Sequence, residues 1–117
     1  MPHLTLEYSN NLRVTDRFNQ LFDELHRLLA EELPTQLSSC KSRCIVHPLF
    51  FIGDQDEKNA FVHLTIKMLP GRADAKKKRL GEIILNILRV FFKSESTQLN
   101  LSLSVEILDL DNNYYKC

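Results

Sequence analysis

The 117-residue chain is long enough for one domain with its own core, spanning residues 1–117. Hydrophobic residues make up 44% and charged residues 26%, and 15 lysines and arginines balance 15 aspartates and glutamates. Zero net charge argues against nucleic acid or an anionic membrane surface as partner, and no apolar run approaches the ~20 residues of a membrane span.

A secretory signal is not expected, because Glu7, Asn10 and Asn11 interrupt the stretch where its apolar core would sit. The expected location is therefore cytoplasmic. Cys40, Cys44 and Cys117 are an odd number, which fits reduced thiols better than a disulfide framework. Cys40, Cys44 and His47 lack a second ligand pair at zinc-site spacing, so packed cysteines are the simpler reading and no metal is expected.

Leu4, Leu6 and Tyr8 alternate with His3, Thr5, Glu7 and Ser9, the period of a half-buried strand. Asn10-Asn11 signals a turn, and Thr15 or Asp16 is placed to cap a helix. Phe18, Leu21, Phe22, Leu25, Leu28, Leu29 and Leu33 recur at spacings of three and four, giving one apolar helix face that Pro34 ends. Arg43 to Ile52 is rich in Ile, Val and Phe and predicts a strand, with Pro48 pointing to an edge or a bulge.

After the polar turn Gly53-Asp54-Gln55-Asp56, alternation from Ala60 to Met68 predicts another strand. Pro70-Gly71 breaks it. Leu80, Ile83, Ile84, Ile87, Leu88 and Phe91 form the apolar face of a second helix, and alternation from Leu99 to Ile107 gives the last strand. In the polar tail, Tyr114 and Tyr115 are candidate interface anchors.

The chain thus reads as two β-α-β halves, about 2–52 and 59–108, each with parallel strands. The expected fold is α+β: a four-stranded mixed sheet with two helices on one face. Its other face is left uncovered, and association of subunits is the natural way to bury it.

Met1-Pro2 carries the sharpest chemical signal. Trimming Met1 leaves Pro2 as a terminal secondary amine in a rigid ring. An ordinary α-amino group titrates at about 7.7–8.0, and burial or a neighbouring cation lowers that value. Such an amine is substantially neutral at cellular pH, where a general base is most effective. Met-Pro alone is unspecific.

The remaining sequence adds context. Met1-Pro2-His3-Leu4-Thr5-Leu6-Glu7-Tyr8-Ser9-Asn10-Asn11 resembles the start of 5-carboxymethyl-2-hydroxymuconate isomerases, in the tautomerase superfamily. So do Lys41-Ser42-Arg43, the block Ala60 to Lys67, Gly71-Arg72 and Leu103 to Ile107. The resemblance implies a homotrimer of β-α-β-β-α-β subunits that moves a proton in small anionic unsaturated 2-hydroxy or 2-oxo acids. It implies that Pro2 takes and returns the proton and that Lys41 and Arg72, with Arg43, bind substrate carboxylates. No cofactor is implied. Position 41 is lysine where the family pattern has arginine, which loses the two-pronged grip on carboxylate and bears on substrate range. That change also keeps open a non-catalytic trimeric binding protein; a related proline-dependent hydratase or decarboxylase is a further alternative.

The physical reading of Arg72 agrees. Proton abstraction beside a carbonyl builds charge on oxygen, which a fixed guanidinium stabilises. Lys76-Lys77-Lys78-Arg79 reads as a solvated helix face. His63 and His47 read as structural, since no carboxylate at diagnostic spacing orients either ring. His3 is expected on the sheet face opposite Pro2, where it shapes an interface, and Glu7 as an exposed strand carboxylate.

Overall fold

A computed structural model describes residues 1–13 and 15–117, and for Thr15 the backbone alone. Strand β1 (His3–Ser9) begins directly after Pro2. A 3-10 turn at Thr15–Arg17 leads into helix α1 (Phe18–Glu32), and another at Leu37–Ser39 into strand β2 (Lys41–His47). Strand β3 (Asn59–Met68), helix α2 (Asp74–Phe91), the short helix α3 (Lys93–Ser96) and strand β4 (Asn100–Asp109) follow.

The sheet order is β2-β1-β3-β4. Strands β1 and β2 are parallel, as are β3 and β4, and the central β1–β3 pair is antiparallel. Both β-α-β units therefore have the expected direction, and the sheet is mixed.

One sheet face is closed by the long helices. Leu4, Leu6 and Tyr8 of β1 and Ala60, Val62, Leu64, Ile66 and Met68 of β3 form one core with Leu21, Leu25 and Leu29 of α1 and Leu80, Ile84 and Leu88 of α2. The period of two on the strands meets the three-four spacing on the helices. Full burial of each such side chain is worth about 1.5–3 kcal/mol, so this layer carries most of the fold.

Two local expectations change. Strand β2 covers Lys41–His47 and not Arg43–Ile52, because its partner β1 ends at Ser9, opposite His47, and Pro48 has no amide to donate. Arg17, with no side-chain cap bond, occupies the cap position of α1; Asp16 lies within the preceding 3-10 turn, and a cap from the Thr15 side chain lies outside the described residues. The uncovered sheet face carries the polar side of the strand alternation, together with Ile45 and Phe61. His3, Thr5, Glu7, Arg43, His47, His63, Thr65, Lys67, Ser104 and Glu106 occupy it, tied by cross-strand hydrogen bonds. Exposed apolar surface concentrates instead on edge strand β2 and the segment after it, where Leu49 is 90% and Phe51 70% exposed.

Two of the four cations at the start of α2 have structural partners. Lys77 pairs with Asp109 of β4 at 2.8 Å and Arg79 with Glu32 of α1 at 3.5 Å.

Candidate active site

Pro2 is buried and lies at the head of β1, where its carbonyl accepts a hydrogen bond from the Lys41 amide at 3.1 Å. The ladder between β1 and β2 thus begins at the proline itself. By strand alternation Pro2 shares the side of Leu4 and Leu6, while His3 lies on the open face, as the sequence predicts. Met1, half-buried, borders a cavity of about 340 Å³ with Pro34, Thr35, Gln36, Ser39, Leu69 and Lys116.

Arg72 reaches this corner because the chain turns sharply after β3. Gly71 has φ +112°, a conformation that side-chain-bearing residues rarely adopt, and α2 starts just beyond at Asp74. The guanidinium is held by two backbone carbonyls: Nη1 donates to Leu69 at 2.9 Å and Nη2 to Leu33 at 3.2 Å. Leu69 lines the cavity and Leu33 precedes Pro34, so the guanidinium clasps two of its walls together. Among the described residues, the Nε–H and one N–H on each terminal nitrogen have no protein acceptor and can bind an anion.

Lys41 is exposed at the start of β2, with Nζ donating to the Ser39 carbonyl at 3.3 Å. The terminal amine lies in the combined field of these groups. Desolvation lowers its pKa most, then Arg72, with Lys116 and Lys41 adding to the effect and Cys40 opposing it. In the chain as it stands this amine belongs to Met1. Removal of Met1 transfers the terminus one residue inward, to Pro2, which is buried where Met1 is half-buried.

Arg43 occupies the open face. Its Nη2 donates to His3 Nδ1 at 2.8 Å, which leaves the proton on Nε2 for the Tyr114 hydroxyl oxygen at 2.9 Å. Burial, followed by Arg43, Lys41, the terminal amine and Lys67, holds His3 below its ordinary pKa. His3, Arg43, Lys67, Thr5, Thr65 and Tyr114 surround a neighbouring cavity of about 240 Å³. The charges of Arg72 and Lys41 thus act on the amine at the chain start, whereas Arg43 lines a separate cavity on the open face.

Sequence reasoning missed three features. His47 and His63 do have carboxylate partners, Glu7 at 3.0 Å and Glu106 at 3.3 Å, but these pairs form across strands and have no local spacing signature. Tyr114, read as an interface anchor, instead bonds His3 within the subunit. Lys116 lies in a tail without periodicity, so no signal placed it beside Met1.

A family model described as 5-carboxymethyl-2-hydroxymuconate isomerase matches residues 2–117. The chain belongs to that family. Among relatives of this isomerase family, the Escherichia coli 5-carboxymethyl-2-hydroxymuconate Delta-isomerase is 28% identical over 110 residues, covering 94% of this chain and 87% of the relative. The crystal structure of a 5-carboxymethyl-2-hydroxymuconate isomerase from Deinococcus radiodurans R1 superposes with a TM-score of 0.88 at 31% identity, covering 99% of this chain and 88% of that one. A fused 4-OT symmetric trimer shares the fold alone, with a TM-score of 0.73 at 11% identity, covering 98% of this chain and 90% of that one. The expected fold and family are both borne out, and family membership makes isomerisation the class of activity.

Proposed function

We propose that this isomerase moves a proton within unsaturated 2-hydroxy and 2-oxo acids of the 5-carboxymethyl-2-hydroxymuconate type, with the Pro2 amine as base and conjugate acid. The observation that carries this reading is the setting of the chain start: the Met1 amine, one residue before Pro2, is desolvated, feels the charges of Arg72, Lys116 and Lys41, and Met1 borders a cavity. The neutral Pro2 nitrogen removes a proton, and the electron pair left behind spreads through the conjugated chain onto the substrate oxygen. Arg72 stabilises that oxyanion, and the protonated amine returns the proton at another carbon. Lys41 binds a substrate carboxylate as a point charge. Arg43 extends the cationic surface into the adjoining cavity.

Intact-mass measurement tests the premise first, since Pro2 acts only after Met1 is lost. Ketonisation of 2-hydroxymuconate then tests the role. Pro2→Ala should lower kcat/KM by about 10²- to 10⁴-fold, the usual contribution of a positioned base. Undiminished turnover would remove proline from the mechanism.

The working form we propose is a cytoplasmic homotrimer. Ile45 and Val46 of edge strand β2 and Leu49 and Phe51 just after it are exposed apolar side chains beside an unpaired strand edge, a region suited to a second copy of the chain. The free thiols of Cys40, Cys44 and Cys117 suit a reducing compartment. Light scattering on the purified protein should give three times the chain mass; a monomer would refute the assembly.

A further inference from the structure

The segment after β4 returns to the start of the chain and is fastened there. The Leu110 amide donates to the Met68 carbonyl at 2.7 Å, and Leu110 is buried. Asp111 then organises a turn, its carboxylate accepting from the Asn113 amide at 2.7 Å and its carbonyl from the Tyr114 amide at 3.1 Å. The Tyr114 ring meets His3 edge-on at 5.8 Å, and its hydroxyl accepts the His3 hydrogen bond. Two residues later Lys116 Nζ lies 3.3 Å from Met1 Sδ, on the wall of the cavity at the chain terminus.

Among the described residues, Lys116 has no carboxylate at ion-pair distance, and neither do Arg72 and Lys41. Loss of Met1 removes the side chain that Lys116 touches and leaves its ammonium facing the vacated space. Ordering a lysine costs about 1.5–2 kcal/mol of side-chain entropy, so a fixed anionic partner there has something to offset.

We propose that Lys116 is a substrate-binding residue that takes a second carboxylate of a polycarboxylate substrate, distinct from the one held by Arg72 and Lys41. This rests on the Pro2-centred reading above. The tail thereby selects between acids that share the reacting 2-hydroxy end but differ at the other end. A contact to an unreacting carboxylate is equally strong in ground and transition states, so its loss raises KM and spares kcat.

The test compares 2-hydroxymuconate, with two carboxylates, and 2-hydroxy-2,4-pentadienoate, with one. For Lys116→Ala, kcat/KM on the dicarboxylate should fall about 10- to 100-fold, the worth of one charged hydrogen bond, almost wholly through KM. The monocarboxylate should lose severalfold less than the dicarboxylate, any loss common to both acids reporting the field of Lys116 on the terminal amine, and Lys116→Arg should restore most of the difference because it retains the charge. Adipate and hexanoate titrations, followed by amide NMR shifts, make the same comparison without turnover. Equal losses for both acids, or no loss for either, would overturn the assignment. If Pro2→Ala abolishes turnover while Lys116→Ala changes neither acid, the base stands and only the lysine is wrong. If Pro2→Ala is silent but adipate binding still depends on Lys116, the anion site stands without that base.

Discussion

The two ends of β1 treat charge in opposite ways. Near Ser9, carboxylates have partners: Glu7 is hydrogen-bonded to His47, and on the adjoining helical segments Glu95 pairs with Arg17. Around Pro2, the cations Arg72, Lys41, Lys116, Arg43 and Lys67 have no carboxylate at ion-pair distance among the described residues. The strand is seven residues long, so about 20 Å separates these settings. Charge pairs at one end hold strands and helices together, whereas uncompensated cations at the other leave binding capacity for an external anion. An excess of one sign beside a desolvated amine is the electrostatic signature of the site.

Substitutions at the unpaired end should have the larger effects on turnover. After Pro2→Ala, the greatest loss should come from Arg72→Ala, about 10- to 100-fold in kcat/KM, as expected when a charged hydrogen-bond donor is removed. The same variant should alter the pH profile. The base must be neutral, so activity should be lost as pH falls through the pKa of the Pro2 amine; burial and Arg72 lower the Met1 amine one residue away, and the same two influences should act on Pro2 once Met1 is gone. Removing Arg72 should move that acidic limb to higher pH; an unmoved limb would show that the guanidinium does not act on the amine.

A stability effect comes next. Gly71→Ala forces a side chain into φ +112° and should cost about 1–3 kcal/mol in denaturant unfolding, with a rise in KM as Arg72 shifts. Lys41→Arg should be milder and favourable: the planar fork should lower KM for a dicarboxylate by about threefold. At the compensated end, Glu7→Gln should leave kcat/KM within about twofold and cost no more than about 1 kcal/mol, since its partner is half-exposed. A large activity loss there would erase the contrast between the two ends.

His3 gives the contrast a pH dependence in stability. Its folded pKa is depressed below 6.5, so the unfolded chain binds the proton more readily. The contribution is present above pH 6.5 and is lost as pH falls toward the folded value. Protonation of Nδ1 would also abolish its acceptance from Arg43. Acid titration of the melting temperature should therefore fall less steeply in His3→Gln than in the parent.

The parts legible in the sequence are those governed by local periodicity. Leu4, Leu6 and Tyr8 announce a strand, and Leu21, Leu25 and Leu29 a helix face, because one side of each element is dry. Pro2 stood out through its chemistry, and Arg72 only through the family resemblance, since a turn arginine by itself reads as solvated. The pairing of His63 with Glu106, the grip of Arg43 on His3 and the arrival of Lys116 at Met1 span 43, 40 and 115 residues in sequence. Such contacts depend on strand order and on the path of the tail, which no window of neighbouring residues encodes. The end of β2 was misread for a related reason: Val46, Phe50 and Phe51 have strand-like chemistry, but where pairing stops is decided by the length of β1.

The hydrogen bond from Lys41 to the Pro2 carbonyl gives the proposed base an unusual mechanical character. A base carried on a side chain must be frozen out of several rotamers before it can act, whereas here the nitrogen belongs to the main chain and its ring admits almost no torsional freedom. Its aim is set by the registry of two parallel strands, so the accuracy of the chemistry is inherited from the sheet. A core substitution that slides β2 against β1 would then detune the enzyme without touching any residue of the pocket.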